Sequence, residues 1–106
     1  ATCLGAKFRS VPLNFDEESH SFELNVEALA AALGPQTAAL IVNTPHNPTG
    51  KAFDESELQV IADLVKEHPN ILVISDEVYK YMIFDPPDEA EAPDKPAGHV
   101  HFARLP

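Results

Sequence analysis

Two apolar runs with one helix-length segment between them constrain this chain more than any other feature. The first run covers residues 38–42, the second covers residues 71–74, and a helical pattern extends from Asp54 to Glu67 between them. Short apolar runs bounded by turn residues are typical of parallel strands that are buried on both faces. Since a right-handed crossover returns the chain to the same edge of the sheet, the sequence predicts a parallel βαβ unit.

Capping residues and apolar spacing predict two helices. Asn25 is the predicted N-cap of the first helix, and Gly34 with Pro35 ends it. Asp54 opens the second helix, and Glu57 completes a capping-box pattern three residues later. Both helices carry a predicted buried stripe at i, i+3, i+4 and i+7, consisting of Val26, Leu29, Ala30 and Leu33 in the first and Leu58, Ile61, Ala62 and Val65 in the second.

The remaining segments have weaker patterns. A weak alternation predicts a short strand over residues 5–13, with Phe8 and Val11 buried, and residues 14–22 are predicted to be an acidic surface loop. Residues 85–98 are rich in proline and acidic side chains and lack large apolar ones, so this segment is predicted to be mobile.

The number of predicted elements is too small for a complete α/β domain. Two helices cannot cover both faces of a whole parallel sheet. The predicted fold class is therefore α/β, with residues 1–106 forming part of the mostly parallel central sheet and flanking helices of a larger domain. Because Ala1 is not Met, we expect a processed chain or a fragment.

Charge and cysteine content exclude several classes of function. Seventeen acidic and seven basic residues give a formal net charge of −10, which disfavours nucleic acid and anionic membranes as partners. The single Cys3 cannot form an internal disulfide, so a reducing compartment is expected. No segment has the apolar length needed to span a bilayer, and no targeting pattern is present. The expected location is the cytoplasm, with the mitochondrion as the alternative.

Polar residues follow each apolar run where the predicted strand ends. Asn47 and Asp76 both lie just past a strand's carboxyl end, where open α/β sheets bind their ligands. The sequence Asn-Thr-Pro-His-Asn-Pro-Thr-Gly-Lys at residues 43–51, joined to Ser-Asp-Glu-Val-Tyr at residues 75–79, resembles the class I/II branch of the fold-type-I pyridoxal-phosphate (PLP) aminotransferases. Residues 99–106 resemble the segment that precedes the lysine-bearing strand in kynurenine aminotransferases and cysteine-conjugate β-lyases.

This resemblance implies cofactor-binding roles for three residues. The counterpart of Asp76 faces the pyridine nitrogen of PLP and keeps it protonated, because a nearby opposite charge favours the charged form. The counterparts of Asn47 and Tyr79 hydrogen-bond the phenolic oxygen of the cofactor, and that of Asn47 also reaches the substrate carboxylate. The resemblance also implies a cis peptide bond between Asn47 and Pro48, a form that is uncommon elsewhere.

The same resemblance places other groups outside this chain. The lysine that binds PLP covalently and the arginines that bind its phosphate and the substrate carboxylate follow Pro106 in such proteins. The resemblance therefore implies no catalytic residue in this chain, and the isolated piece is expected to be inactive. The parent protein is expected to be a homodimer that transfers an amino group from an amino acid to a 2-oxo acid, in the manner of kynurenine aminotransferases, with C–S β-elimination as a side activity.

Simpler interpretations compete with each of these roles. Asp76 could cap a strand end, Asn47 could be a turn residue before proline, and Tyr79 could be a packing residue. A truncated, non-catalytic binding or regulatory module is the alternative function for the whole chain. His99 and His101 alternate in a way that suits a metal pair, but the sequence shows no third ligand, so no metal site is predicted.

Overall fold

The structure is a computed structural model, and it describes residues 5–83 and 98–106. Its elements in chain order are β1 (Asn14–Asp16), β2 (Ser21–Glu23), α1 (Val26–Ala32), β3 (Ala39–Asn43), α2 (Glu55–Lys66), β4 (Leu72–Asp76) and a short 3₁₀ helix (Phe102–Arg104). Strands β1 and β2 form an antiparallel hairpin, while β3 and β4 pair in parallel. The predicted α/β class and the predicted parallel pair are confirmed.

The parallel pair is buried on one face only. Val42 is 4% exposed and belongs to the buried cluster formed with both helices. Ile41 and Ile74 point to the other face and are 59% and 45% exposed. The prediction that both strand faces are buried is therefore wrong for this chain, because both helices pack on the same side of the sheet. Side chains alternate along a strand, so the uncovered face receives every second residue.

The core forms where the two helices meet the sheet. Leu29 of α1, Leu58 and Ile61 of α2, and Val42 of β3 make up its buried cluster. The predicted stripe of α2 is confirmed, since Ala62 is buried as well and Val65 packs partly buried against the cluster.

The predicted stripe of α1 is only partly correct. Leu29 is its one buried residue, Leu33 is half-buried, and Val26 and Ala30 are exposed. The physical reason is length: α1 has seven residues, about two turns, so few of its positions can reach the core.

The N-terminal predictions are wrong in two places. Residues 6–13 form no strand, and Phe8 is 75% exposed, although Val11 does pack against the core. The segment predicted as a loop contains the β1–β2 hairpin instead. The Asp16 carboxylate accepts a hydrogen bond from the Glu18 N–H at 3.1 Å, and this local Asx-type contact fixes the turn between the strands.

Residues 85–97 of the segment predicted to be mobile lie outside the described residues, and its mobility stays a prediction. Among the residues that are described, no helix has the length and apolar character needed to cross a membrane.

Both predicted helix caps are confirmed. The Asn25 side chain accepts a hydrogen bond from the Ala28 N–H at 2.9 Å. The Asp54 side chain accepts from the Glu57 N–H at 2.8 Å, and the Glu57 carboxylate accepts from the Asp54 N–H at 3.1 Å. This reciprocal pair satisfies two N–H groups that have no partner inside the helix.

Removal of the Asp54 cap is expected to destabilise the protein that contains this chain. Asp54→Ala should lower the free energy of unfolding by about 0.5–2 kcal/mol, because a backbone N–H loses its acceptor. Asp54→Asn keeps an acceptor oxygen and should lose less. Urea denaturation at pH 7 measures both differences, and an Asp54→Ala variant as stable as wild type would contradict the capping role.

The same pair of variants tests a pH dependence. Hydrogen bonds from the Ser56 hydroxyl and the Glu57 N–H hold the pKa of Asp54 below its usual 3.8. The folded-state pKa of Asp54 is lower than its unfolded-state pKa. The stability that the ionised Asp54 side chain contributes is therefore fully present above the unfolded-state pKa, and it is lost as the pH falls through the folded-state pKa. The difference in free energy of unfolding between wild type and Asp54→Asn should therefore become smaller as the pH falls below about 3.8.

Candidate functional site

The parallel register brings the ends of β3 and β4 side by side. Asn43 is paired with Asp76, the last residue of β4. The Asn43 side-chain amide donates a hydrogen bond to the Asp76 carbonyl at 3.2 Å, and the Thr44 N–H donates to the same oxygen at 3.1 Å. Because parallel strands end at the same edge of a sheet, the loops that follow them meet there.

The loop after β3 has a defined shape. Thr44 is fully buried, and its hydroxyl accepts a hydrogen bond from the Phe53 N–H at 3.0 Å. The His46 N–H donates to the Lys51 carbonyl and the Gly50 N–H donates to the His46 carbonyl, both at 2.8 Å. Gly50 has φ +74°, a left-handed conformation that glycine adopts without steric cost. These contacts present Asn47 at the tip of the loop.

Asn47 and Tyr79 contact each other directly. The Asn47 side-chain amide donates a hydrogen bond to the phenolic oxygen of Tyr79 at 3.1 Å. The Asn47 N–H donates to the Asn43 side-chain oxygen at 3.3 Å, so Asn43 bridges the loop to the end of β4. Sequence reasoning did not select Asn43, although its pairing position at the strand end could have indicated it. The Asn47–Pro48 peptide bond is cis as predicted, and Thr44–Pro45, which was not predicted, is also cis.

Asp76 lies at the same edge but with a different environment. Its side chain is exposed, and its only protein contact among the described hydrogen bonds is a long one of 3.4 Å from the Val78 N–H. Within the described residues no hydrogen bond joins its carboxylate to Asn47 or Tyr79. Two shallow cavities on the described part of the chain are lined by other residues, and both Asn47 and Asp76 are exposed at the strand edge.

This arrangement suits a ligand with both a cationic and an oxygen-bearing edge. Asp76 offers a carboxylate without a cationic partner among the described residues, while Asn47 and Tyr79 offer an amide and a phenol that can donate hydrogen bonds. The chemistry of these groups fits the pyridinium nitrogen and phenolic oxygen of PLP, since an exposed carboxylate can pair with the first and neutral donors can bind the second.

Glu77 is a residue of this region that sequence reasoning missed. Its carboxylate accepts hydrogen bonds from the Ser75 hydroxyl at 2.8 Å and contacts the His101 ring at 2.5 Å. Burial by itself raises the pKa of Glu77, but the hydrogen bonds from Ser75 and His101 and the charge of the neighbouring histidines outweigh it, so the net pKa is lowered. The available signal was its position directly after the last residue of β4, at the strand end where ligands bind in open α/β sheets.

Comparison with known proteins shows which family the chain is similar to. The sequence matches the family described as aminotransferase class I and II over residues 1–104. It is 46% identical to the kynurenine–oxoglutarate transaminase of Dictyostelium discoideum over 89 residues, which are 83% of this chain and 18% of that protein.

Solved structures agree with the sequence match. The N-succinyldiaminopimelate aminotransferase of Mycobacterium tuberculosis superposes with a TM-score of 0.79 at 38% identity, covering 98% of this chain and 24% of the other. The aromatic aminotransferase of Pyrococcus horikoshii superposes with a TM-score of 0.65 at 40% identity, covering 84% of this chain and 21% of the other. The chain therefore spans less than a quarter of the length of these relatives. It belongs to the class I and II aminotransferases, a family of PLP-dependent transferases.

Proposed function

We propose that the protein containing this chain is a PLP-dependent aminotransferase, and that the chain contributes part of its cofactor-binding domain. The observation that carries the proposal is the 3.1 Å hydrogen bond between Asn47 and Tyr79. It joins two loops that are far apart in sequence, at the strand edge where Asp76 also ends β4. The match to the aminotransferase family supports the same conclusion.

All three side chains have a proposed task at the cofactor. The Asp76 carboxylate stabilises a protonated pyridine nitrogen through charge and hydrogen bonding. Asn47 and Tyr79 hold the phenolic oxygen, and their mutual hydrogen bond orients both donors before the cofactor arrives. Asn47 also contacts the substrate carboxylate. When bound, PLP supplies the electron-accepting ring on which amino transfer depends.

The proposed substrates are an amino acid and a 2-oxo acid, with kynurenine and related aromatic amino acids as the favoured donors. The similarity to the Dictyostelium transaminase supports this choice, and the similarity to an aromatic aminotransferase supports the aromatic class. We further propose a homodimer in the cytoplasm that binds neither nucleic acid nor membranes. An isolated binding module is less favoured, because one face of its sheet would be open to water. On that face Ile41 is 59% exposed and Leu72 is 63% exposed, and large exposed apolar patches are uncommon on isolated soluble proteins.

An assay of amino transfer with a matched variant tests this function. The full-length protein with PLP and 2-oxoglutarate should transaminate kynurenine, with phenylalanine and aspartate as competing donors. Tyr79→Phe should reduce kcat/KM by roughly fivefold, because a hydrogen bond of about 1 kcal/mol is lost at the cofactor. Tyr81→Phe is the control, since Tyr81 is 86% exposed, and its kcat/KM should equal that of wild type.

The assay separates the parts of the proposal. Transfer from another amino acid but not from kynurenine would overturn the donor assignment alone. Absence of transfer with every donor would overturn the aminotransferase function. Equal activity of Tyr79→Phe and wild type would remove Tyr79 from the cofactor site.

A further inference from the structure

Three side chains converge just past the end of β4. They are Glu77, His99 and His101, and one potential ligand atom from each lies within 4.8 Å of the others. The His99 Nε2 is 3.2 Å from a Glu77 carboxylate oxygen, and the His101 Nδ1 is 2.5 Å from the same oxygen. Among the described residues this is the one such group of three.

The chain conformation explains why both histidines reach one carboxylate. His101 has an extended backbone, with φ −85° and ψ 122°, and residues two apart in an extended segment point to the same side. Val100 between them packs against the core cluster, so the two rings face the other way. The rings meet edge to face with centroids 4.9 Å apart.

The His99 nitrogen is the unusual atom in this cluster. The His99 side chain is only 5% exposed, and its buried Nε2 has no hydrogen-bond partner of acceptable geometry among the described residues. Buried polar atoms are almost always satisfied, so an orphan of this kind indicates a missing partner. It lies 3.2 Å from the carboxylate oxygen that also contacts His101, so an ion bound beside these three side chains would supply the missing partner.

We propose that Glu77, His99 and His101 bind a divalent transition-metal ion of the Zn²⁺ type, with water completing its coordination. Two imidazoles and one carboxylate are a typical zinc ligand set. Bonds of about 2.05 Å in a tetrahedron separate neighbouring ligand atoms by about 3.3 Å, which agrees with the 3.2 Å between His99 and Glu77. The 2.5 Å contact between His101 and Glu77 must lengthen when both atoms bind the ion.

The neighbouring Ser75 supports this assignment. Its hydroxyl donates to the other Glu77 oxygen at 2.8 Å, which orients the carboxylate and leaves the oxygen shared by the histidines free for the ion. Such supporting hydrogen bonds are usual around metal ligands. The bound ion would tie the segment after residue 97 to the end of β4, next to the proposed cofactor site but independent of it.

Zinc binding to the full-length, PLP-loaded protein tests the proposal. After chelator treatment and dialysis, competition with a chromophoric chelator should show one Zn²⁺ site that Glu77→Gln and His101→Ala each weaken at least about tenfold. His68→Ala removes a histidine outside the cluster and should bind Zn²⁺ as wild type does. Equal Zn²⁺ affinity in wild type and Glu77→Gln would overturn the site.

A second measurement does not depend on how the variants fold. X-ray absorption on the wild-type protein loaded with one equivalent of Zn²⁺ should show two imidazole nitrogens and oxygen ligands at about 2.0–2.2 Å. A shell without imidazole scattering, or one that contains sulfur, would overturn the assignment. Neither the chelator competition nor the X-ray absorption measurement uses transaminase activity. The zinc proposal can therefore be overturned without affecting the proposed function, and the reverse also holds.

Discussion

Asp76→Ala is expected to weaken PLP binding and amino transfer by about 30-fold to several thousand-fold in the full-length protein. The reason is electrostatic, because removal of one member of a desolvated, hydrogen-bonded charge pair costs about 2–5 kcal/mol. The carboxylate of Asp76 is exposed at the strand edge, and bound cofactor would shield it from water and strengthen this pair. Titration with PLP, followed by its absorbance, measures affinity, and the amino-transfer assay measures kcat/KM.

Two variants separate charge from shape at this position. Asp76→Asn keeps the size of the side chain but cannot act as a counter-ion, so its loss should approach that of Asp76→Ala. Asp63→Asn neutralises another exposed carboxylate, which hydrogen-bonds Gln59 and Lys66 on α2, and should bind PLP as wild type does. If Asp76→Ala kept wild-type affinity and activity, Asp76 would have no part in the mechanism.

Leu58→Ala is expected to have the largest effect on stability, with a loss of about 2–5 kcal/mol in the free energy of unfolding. Leu58 is 0% exposed and belongs to the core cluster with Leu29, Val42 and Ile61. Truncation removes apolar contacts and leaves a cavity where both helices meet the sheet, and close-packed surroundings cannot collapse to fill it fully. Chemical denaturation of the full-length protein at neutral pH measures the change.

Val60→Ala is the matched control on the same helix. Val60 is 36% exposed, so its truncation should alter the free energy of unfolding by no more than about 0.5 kcal/mol. If Leu58→Ala were as stable as Val60→Ala, the core would not be centred on the inner face of α2.

Local patterns were sufficient for the central part of the chain. The capping box at Asp54 and the apolar period of α2 depend on neighbours within one or two helical turns. Residue spacing alone was therefore enough to predict the N-cap and the buried stripe of α2. The sequence placed Asn47 and Asp76 at one edge of the sheet, because parallel strands joined by a crossover end there, and the register of β3 and β4 agrees with this. The proximity of Asn47 and Tyr79 was implied by the family resemblance, and their hydrogen bond agrees with it. The predictions for the N-terminal region were wrong because its pattern is weak. The weak alternation over residues 5–13 and the acidic composition of residues 14–22 say little about which of these segments forms strands.

The sequence by itself determined the helix caps, since these depend on short-range spacing. It also predicted the βαβ unit from the order of its three segments, and a two-part motif indicated the family. Only the tertiary structure decided that the sheet is covered on one face, because that depends on where two separate helices pack. It alone also placed Glu77 against His101, a pair 24 residues apart in sequence. Spacing along the chain carries no information about such a contact, which exists only once the segment after residue 97 has returned to the end of β4.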